Sequence, residues 1–341
     1  MMLINCTKMY GHAALIEQNP PTRIVEGAIW LPRSRYGNAK GLYEPSGRVV
    51  TESLTFRGFP EPHTPLGRLY TLETGADLPK ISRDFHYIHL GHVNRHYGHF
   101  LIGAVARLWN LSAGNRSRLR LVFDEDYSVE DMFAVPHIRT LWEILGLKEE
   151  NFIRFPHGAV FESIEVPGLA FEENSHVHRP YKDLMNWLGS VLVPTPVKQC
   201  PDRMIYFTKH HLQSGIRRIE QEEELTHHLA AYGVEIVAPE NLTLVEQIRL
   251  WKEGGVFMGF SGSSLHTGIF HQKNRLLSLC HTDEAPSNQV LIDKVTNSRS
   301  LYLHDPELLE NGHGINGFRA SVVCNNPRLL AQRIIQAAKM L

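Results

Sequence analysis

Residues 256–270 (VFMGFSGSSLHTGIF) form the segment of the sequence best suited to bind an anion. An apolar run that predicts a strand leads into a turn of small residues and then into a predicted helix. The candidate binding residues are Ser261, Gly262, Ser263, Ser264 and Leu265, of which the three serines add hydroxyl donors. Small residues let the backbone approach a phosphate, and a helix N-terminus offers unpaired N–H groups. The alternative is an ordinary strand-to-helix turn, since the segment is neither a Walker loop nor GxGxxG.

Basic residues follow the preceding predicted strand, within residues 204–225 (MIYFTKHHLQSGIRRIEQEEEL). The candidates are Lys209, Arg217 and Arg218. Cationic groups just beyond a strand end can neutralise a diphosphate, a task that a metal ion performs in other proteins. Surface pairing of the arginines with Glu220 and Glu222 is the alternative. Acidic residues are favourable at the start of a helix in any case, so we interpret both glutamates as structural.

The elements that must position these residues belong to a chain of 341 residues, which is long enough for two domains. Apolar residues make up 43% and the formal net charge is −1, which is typical of a globular protein and offers no basic footprint for nucleic acid. The cysteines Cys6, Cys200, Cys280 and Cys324 have no disulfide or metal spacing, and we expect free thiols in a reducing compartment. No signal peptide or membrane span is predicted.

Strands alternate with helices along most of the chain, which predicts an α/β fold with parallel sheets. In the first half, strands are expected at 23–31, 48–56, 118–123 and 160–166, and helices at 99–112, 129–147 and 181–192. In the second half, strands are expected at 204–208, 234–237, 256–259 and 276–279, and helices at 222–232, 244–252 and from 264. Ligands bind such sheets at the carboxyl ends of the strands.

Helix caps and a proline-rich connector suggest the domain division. Thr243 with Glu246 has the spacing of a capping box, and Asn326 followed by Pro327 suits a helix start. Residues 193–202 contain three prolines and read as an extended connector. We therefore expect an N-terminal domain over 1–195 and a C-terminal domain over 200–325. A last helix within 326–341 is expected to return to the first domain.

Two segments resemble glycosyltransferase family 61, which includes xylosyl- and N-acetylglucosaminyltransferases and bacterial polysaccharide enzymes. Residues 217–265 (RRIEQEEELTHHLAAYGVEIVAPENLTLVEQIRLWKEGGVFMGFSGSSL) resemble the family core, and residues 94–108 (NRHYGHFLIGAVARL) resemble a family helix with His99 and Arg107 at its His and Arg positions. The chain departs from the family pattern at four positions: Gly103 for Glu, Lys209 for Arg, Gln221 for Asn and Ser261 for His.

The resemblance implies a GT-B fold, in which two Rossmann-like domains face each other across a cleft, and transfer with inversion. It implies a nucleotide-sugar donor, UDP-linked by family analogy, bound by the C-terminal domain without a cofactor or metal. The acceptor would be a growing polysaccharide or a lipid-linked oligosaccharide, bound by the N-terminal domain. The enzyme would work in the cytoplasm, with possible peripheral association at the inner face of the cell membrane.

Inverting transfer needs a base for the acceptor hydroxyl. His99 is our first candidate because imidazole titrates near neutral pH, and His96 and Asp84 are weaker candidates. A structural histidine at the start of an apolar helix is the alternative for His99. Glu240, after Pro239, is a candidate contact for the ribose of the donor, or an exposed loop carboxylate.

Three further hypotheses stay open from the sequence. Asp124 and Asp126, on either side of Glu125, form a DxD pattern, with which metal-dependent glycosyltransferases hold a divalent cation and a diphosphate. A cluster of histidines would suggest a metal-dependent hydrolase: His86, His89, His92, His96 and His99. The departures from the family pattern also allow a relative that binds nucleotide or glycan without turnover.

Overall fold

A computed structural model describes residues 2–59, 61–65, 77–111, 116–124, 126–194, 196–213, 215–314 and 317–341. The strands are β1 Ile4–Asn5, β2 Lys8–Tyr10, β3 Ala14–Ile16, β4 Thr22–Leu31, β5 Gly41–Tyr43, β6 Phe56–Arg57, β7 Thr64–Pro65, β8 Lys80–Ile81, β9 His86–Gly91, β10 Leu119–Phe123, β11 Phe152–Ile153, β12 Ala159–Pro167, β13 Phe171–Glu172, β14 His176–His178, β15 Met204–Phe207, β16 Gly215–Glu220, β17 Glu235–Val237, β18 Val256–Phe260, β19 Arg275–Leu279, β20 Glu284–Pro286, β21 Arg299–His304, β22 Leu309–Gly312 and β23 Phe318–Cys324.

The helices complete the set of elements that the structure describes. The α-helices are α1 Arg33–Tyr36, α2 Tyr97–Ile102, α3 Val129–Phe133, α4 Pro136–Ile144, α5 Arg179–Leu192, α6 Glu222–Ala231, α7 Leu244–Glu253, α8 Ser287–Thr296 and α9 Pro327–Ala338. The 3-10 helices are Gly37–Ala39, Thr51–Ser53, Val105–Arg107, Arg116–Arg118, Glu149–Asn151, Pro239–Asn241 and Ser263–Phe270. The mixed α/β class expected from the sequence is confirmed.

The chain divides into two compact units, and the division differs from the expected one. The N-terminal unit is Ala14–Leu184, and the C-terminal unit combines Met1–Ala13 with Met185–Leu341. Helix α9 packs on α6 inside the C-terminal unit, where Leu330 and Ile334 join the core around Tyr206. The expectation that the last helix returns to the N-terminal domain is therefore wrong, because its apolar face is already covered by its own unit.

The C-terminal unit is built on a six-stranded sheet of order β1-β21-β19-β18-β15-β17, parallel except for β1. Strands buried on both faces read as continuous apolar runs, and β15 and β18 do so because each face has its own cover. On one face Tyr206 packs with residues of α6 and α9. On the other face, Phe207 and Phe257 pack with Trp251 of α7.

The N-terminal unit carries a mixed sheet of order β11-β10-β9-β12-β4-β5 with β8 beside β12. Strands β11, β10, β9 and β12 are parallel neighbours, whereas β4 is antiparallel to β12. The carboxyl ends of β9 and β10 therefore lie at the same edge, and the segments that follow both strands start from that edge.

Three of the predicted elements are wrong in extent. The helix expected over 129–147 is two helices, because Pro136 cannot continue α3 and instead begins α4. The helix expected over 99–112 ends at Ile102, with Gly103 in a non-helical conformation, and its predicted last residue lies outside the described residues. The strand expected over 48–56 contains the 3-10 helix Thr51–Ser53.

Other local signals are confirmed. Thr243 and Glu246 form a reciprocal capping box at the start of α7, and the Asn326 side chain accepts from the Leu329 amide before Pro327. The four cysteines are free thiols. Among the described residues, no helix is long and apolar enough to cross a membrane.

Candidate functional site

Three neighbouring strands of the C-terminal sheet end at one edge, and a polar residue or turn follows each of them. Lys209 follows β15, Gly262 follows β18 and His281 follows β19, and these strands are adjacent and parallel. Arg217 reaches the same region from β16, since its charge acts on both Lys209 and His281. We call Lys209, Arg217 and His281 the basic cluster.

Lys209 is held in place by backbone groups. Its Nζ donates to the Ser261 carbonyl oxygen at 2.7 Å, and its own amide donates to Glu222 Oε2 at 3.0 Å. Burial and the charge of Arg217 lower the pKa of Lys209, the charge of Glu222 raises it, and the resulting pKa is about 8. The ammonium is thus positioned against the turn after β18 and is protonated in most molecules at neutral pH.

Glu222 is structural, as the sequence suggested. It is buried, Tyr206 donates to its Oε1 at 3.0 Å, and burial raises its pKa. Because its other oxygen accepts the Lys209 amide, this carboxylate joins the start of α6 to the end of β15.

Arg217 and Arg218 do not lie just beyond the end of the preceding strand, as the sequence suggested, because both lie inside strand β16, which pairs with β23. Successive side chains of a strand point to opposite faces. Arg217 faces Lys209 and His281, and burial lowers its pKa. Arg218 instead donates to the Leu212 carbonyl at 3.3 Å and lies over the Phe318 ring. Within the described residues neither arginine forms an ion pair with Glu220 or Glu222, so the structure does not show the surface pairing that was the alternative.

The Arg217 guanidinium retains an unused donor. Its Nε is buried and has no hydrogen-bond partner among the described residues. A buried donor without a partner costs about 1–3 kcal/mol, and a ligand or an ordered water molecule can supply the acceptor. Together with Lys209, this donor makes the edge of the sheet a place for an anion.

His281 is a member of the basic cluster that the sequence analysis missed. Burial lowers its pKa to about 4, and the charges of Arg217 and Lys209 contribute to the shift. The imidazole is therefore neutral at pH 7. Its position directly after an apolar strand was the available signal, because strand ends of a parallel sheet share one edge.

The turn after β18 brings backbone amides to the same edge. The segment that follows, Ser263–Phe270, is a 3-10 helix. Its first backbone hydrogen bond runs from the Leu265 amide to the Gly262 carbonyl oxygen. The amides of Gly262, Ser263 and Ser264 precede that bond and are left for other acceptors. A Cβ on Gly262 would lie 2.6 Å from Lys209 Nζ, so glycine is what lets the ammonium approach the turn.

The three serines of this turn have different surroundings. The Ser261 hydroxyl is engaged within the sheet, at 2.8 Å from Ser278 Oγ and 3.1 Å from the Leu279 carbonyl, so its expected role as a free donor is wrong. Ser264 Oγ is buried with no partner among the described residues, whereas Ser263 is partly exposed. Leu265 is a core residue and contributes through its position only.

A cavity of about 510 Å³ is lined by the whole of β17, by residues of α7 and by Thr208. Its lining includes Val237, Asn241 and Leu250. Glu240 is exposed in the adjacent 3-10 helix Pro239–Asn241. Thr208, which lines the cavity, directly precedes Lys209 in the chain.

In the N-terminal unit, His99 of α2 is bonded to a carboxylate. Its Nδ1 lies 2.8 Å from Glu173 Oε1, and Arg57 donates to Glu173 Oε2 through Nε at 3.1 Å. The hydrogen bond to Glu173 raises the pKa of His99. Burial raises the pKa of Glu173, but the hydrogen bonds from His99 and Arg57 outweigh it and hold the pKa at about 2. We call Arg57, Glu173 and His99 the His99 chain.

The other two candidate bases, His96 and Asp84, differ in their position relative to His99. The His96 ring lies 5.5 Å from that of His99, and burial lowers its pKa. Asp84 precedes β9, at the end of the sheet opposite to His99, and its carboxylate accepts from Ser82 Oγ at 2.5 Å. The structure therefore brings His96 but not Asp84 to His99.

The histidine cluster is divided among different surroundings. His86 and His89 lie in strand β9 rather than in a helix, and His86 bonds Glu165 at 2.8 Å. His89 is buried, and burial together with Arg107 lowers its pKa to about 3. Among the described residues, no three His, Cys, Asp or Glu side chains are placed to hold a metal ion. The structure therefore does not gather these histidines around one position in the part of the chain that it describes.

Arg107, at the family's Arg position, is a structural residue. It is buried and donates to the carbonyl oxygens of Glu52, Ser53, Leu54 and Pro167 at 2.7–2.9 Å. These bonds fix the segment that leads into β6, which carries Arg57. The arginine thus supports the His99 chain from a distance.

In the DxD pattern, Asp124 has a structural partner. Its Oδ1 accepts the Arg33 amide at 3.1 Å, at the start of α1. Asp126 is exposed, and Glu125 lies outside the described residues. The Asp124 carboxylate therefore has a sufficient explanation as a cap.

Glu173 and Arg57 were also missed from the sequence. Glu173 is 74 residues from His99 in the chain and belongs to no motif, so no local signal could have paired them.

Comparisons with known proteins test the resemblance. A search of curated proteins found no match. A family model described as Glycosyltransferase 61 matches residues 97–277, more than half of the chain, and this range holds His99, Glu173, Lys209, Arg217 and Gly262. The chain therefore belongs to glycosyltransferase family 61 and is a glycosyltransferase.

Proposed function

We propose that the protein is an inverting transferase that moves a sugar from a UDP-linked donor to a glycan acceptor in polysaccharide biosynthesis. The observation that carries this proposal is the meeting of Lys209 and Arg217 at the carboxyl edge of the C-terminal sheet. Neither cation has an ion-pair partner among the described residues, and Arg217 Nε is a buried donor without an acceptor. A diphosphate would supply the missing negative charge.

The reaction needs this charge most at the moment the donor bond breaks. Negative charge then grows on the departing diphosphate, and preorganised cations and amides stabilise it without reorganising. Lys209, Arg217 and the amides of Gly262, Ser263 and Ser264 provide both kinds of group. We propose that these residues do what a metal ion does in other transferases, so that the enzyme requires neither metal nor cofactor.

The cavity beside Thr208 fits the nucleoside of the same donor. Its volume of about 510 Å³ lies in the range of small-molecule sites. Apolar side chains of Val237 and Leu250 can cover a planar base, while Asn241 offers a polar group to its edge. Glu240, exposed beside Asn241, is our proposed contact for the ribose. The phosphates would then extend from Thr208 towards Lys209.

We extend the proposal to the two units as the domains of a GT-B enzyme. The C-terminal unit would bind the donor, and the N-terminal unit would bind the acceptor and supply His99 as base. The acceptor would be a polysaccharide or a lipid-linked oligosaccharide. A lipid-linked acceptor would bring a cytoplasmic enzyme to the inner face of the cell membrane.

Calorimetric titration of the purified protein with a panel of nucleoside diphosphates, each with and without EDTA, tests the donor site. We expect UDP to bind and the affinity to survive EDTA. Loss of binding on chelation would move the diphosphate to a metal site such as Asp124 and Asp126. Absence of binding to every nucleotide would contradict the proposal.

Two adjacent arginines supply a matched pair of variants. Arg217→Ala should weaken UDP binding about 10- to 100-fold, because a charge-assisted hydrogen bond contributes roughly 1.5–3 kcal/mol. Arg218→Ala should leave the affinity unchanged, since Arg218 faces Phe318. Equal effects of the two substitutions would show that the affinity reports net charge and not the proposed site.

Release of UDP from a panel of UDP-sugars, measured with and without glycan acceptors, distinguishes an enzyme from a non-catalytic relative. We expect acceptor-dependent release from at least one donor. Tight UDP binding without turnover of any donor would support a binding protein.

A further inference from the structure

The His99 chain has a geometry that selects which nitrogen of the histidine can act as a base. Glu173 is held as a carboxylate and can only accept hydrogen bonds, so Nδ1, 2.8 Å from Oε1, must carry the proton. The lone pair of neutral His99 is then on Nε2, for which the described residues provide no partner. We propose that Glu173 is a positioning residue that holds His99 with Nε2 as the nitrogen that takes the acceptor proton, an inference that rests on the proposed function.

The carboxylate is itself held from both sides. His99 occupies Glu173 Oε1, and Arg57 occupies Oε2 through Nε and Nη2 at 3.1 and 2.5 Å. With a separate partner on each oxygen, the plane of the carboxylate is fixed. The Glu173 side chain is 12% exposed and that of His99 is 43% exposed, so the buried member orients the one that solvent or substrate can reach.

The backbone also holds Glu173 next to Arg57, independently of their charges. The two residues form a parallel β-bridge, and the Gly58 amide donates to the Glu173 carbonyl at 2.8 Å. A Cβ on Gly58 would lie 2.6 Å from the Asn174 carbonyl oxygen, so this approach requires glycine. Neutralising one side chain therefore leaves the other near its position.

In the proposed step the acceptor O–H bond breaks and its proton moves to Nε2, while the oxygen forms a bond to the anomeric carbon. The bond from that carbon to the diphosphate oxygen breaks, and its electron pair leaves with the diphosphate. His99 becomes an imidazolium, which ionised Glu173 stabilises through Nδ1. Glu173 keeps its charge throughout because its pKa is held at about 2.

The charges facing His99 come from three segments. Glu173 raises its pKa, Arg57 of β6 lowers it, and His96 lies beside it. Glu172, the neighbour of Glu173, is bonded instead to His63 at 2.9 Å and lies 3.8 Å from His176. Changes at Glu173 and Arg57 should therefore move the pKa of His99 in opposite directions, and Glu172 is the matched control.

The test follows the His99 imidazole by NMR titration in the wild-type protein and in four variants, with the signal assigned by comparison with His99→Gln. Glu173→Gln should lower the His99 pKa by about one unit or more, because it removes the adjacent negative charge. Arg57→Met should raise it, and Glu172→Gln should leave it unchanged. Glu173→Asp, which keeps the charge, should restore most of the wild-type value.

Activity gives a second readout. Neutral His99 is the active form, so kcat/KM falls as the pH drops through its pKa, and Glu173→Gln should move this fall to lower pH. The same variant should reduce kcat about 10- to 100-fold with little change in the donor KM, since general base catalysis contributes about 10²–10⁴-fold in total.

Two results would overturn the inference. The first is that Glu173→Gln leaves the pKa of His99 unchanged or raises it, although the circular dichroism spectrum of the variant matches that of the wild type. The other is a kcat loss in Glu172→Gln as large as in Glu173→Gln, which would indicate a merely structural role. Because the NMR titration needs no substrate, a protein inactive with every donor would contradict the proposed function while the pairing of Glu173 with His99 is still measured.

Discussion

The basic cluster and the His99 chain differ in how their charges are compensated. Burial lowers the pKa values of Lys209 and Arg217, the charge of Arg217 lowers that of Lys209 further, and the charge of Glu222 opposes the shift at Lys209. In the His99 chain, a carboxylate lies between two basic groups, and its pKa is lowered to about 2. Cations without an ion-pair partner indicate a place for an anionic ligand, whereas paired charges indicate groups that hold one another in position.

The two kinds of buried arginine sharpen this contrast. The Arg107 guanidinium donates to four backbone carbonyl oxygens, so these donors need no ligand as acceptor. Arg217 is partly buried, yet its Nε has no partner within the part of the chain that is described. The same side chain is therefore structural in one unit and available for binding in the other.

The largest expected effect tests whether the two regions have separate tasks. His99→Gln should lower turnover about 10²–10⁴-fold, because it removes the base, and should leave the Kd for UDP unchanged. Turnover and calorimetry on the same preparation measure both quantities. A variant with the full rate would rule out His99 as the base, and a weakened Kd would contradict the division of tasks.

A smaller effect follows from the lowered pKa of Lys209, which is about 8 in the free protein. The ammonium must be protonated to attract a diphosphate, so the affinity for UDP should fall as the pH rises through this pKa, by up to about tenfold per unit above it. Titrations between pH 7 and 9.5 measure the fall. In Lys209→Met the affinity should be lower and independent of pH over this range, and an equal pH dependence in both proteins would contradict the assignment.

The smallest expected effect concerns the approach of Lys209 to the turn. Gly262→Ala would place a Cβ 2.6 Å from Lys209 Nζ, and the flexible ammonium would move away at little cost to folding. We expect the UDP affinity to fall a few-fold, with the melting temperature nearly unchanged. The effect should disappear in the Lys209→Met background, because contacting residues couple in a double-mutant cycle. If Gly262→Ala still lowered the UDP affinity in the Lys209→Met background, the loss would come from a change in the turn itself and not from Lys209.

Much of the second-half architecture could be predicted because it depends on local patterns. The apolar runs of β15 and β18 and the amphipathic pattern of α7 are properties of short windows, and the capping box at Thr243 and Glu246 needs four residues. Pro136 marks the boundary between α3 and α4 in the sequence itself, since a proline inside a helical pattern ends the helix before it.

The strand position of Arg217 and Arg218 could not be predicted from local patterns. The sequence did not predict strand β16 or the alternation that separates the two arginines, because the partner strand β23 is about a hundred residues further along the chain. No residue pattern close to the arginines in the sequence predicts that β16 pairs with β23.

The sequence by itself determined the α/β class, the family, and the strand-end positions of Lys209 and Gly262, because each of these is encoded in composition, periodicity or a contiguous motif. Only the tertiary structure decided that Arg217 and not Arg218 joins Lys209, that His281 belongs with them, and that Glu173 and Arg57 hold His99. These pairings join residues far apart in the chain, and they depend on which faces the packed core leaves free to meet.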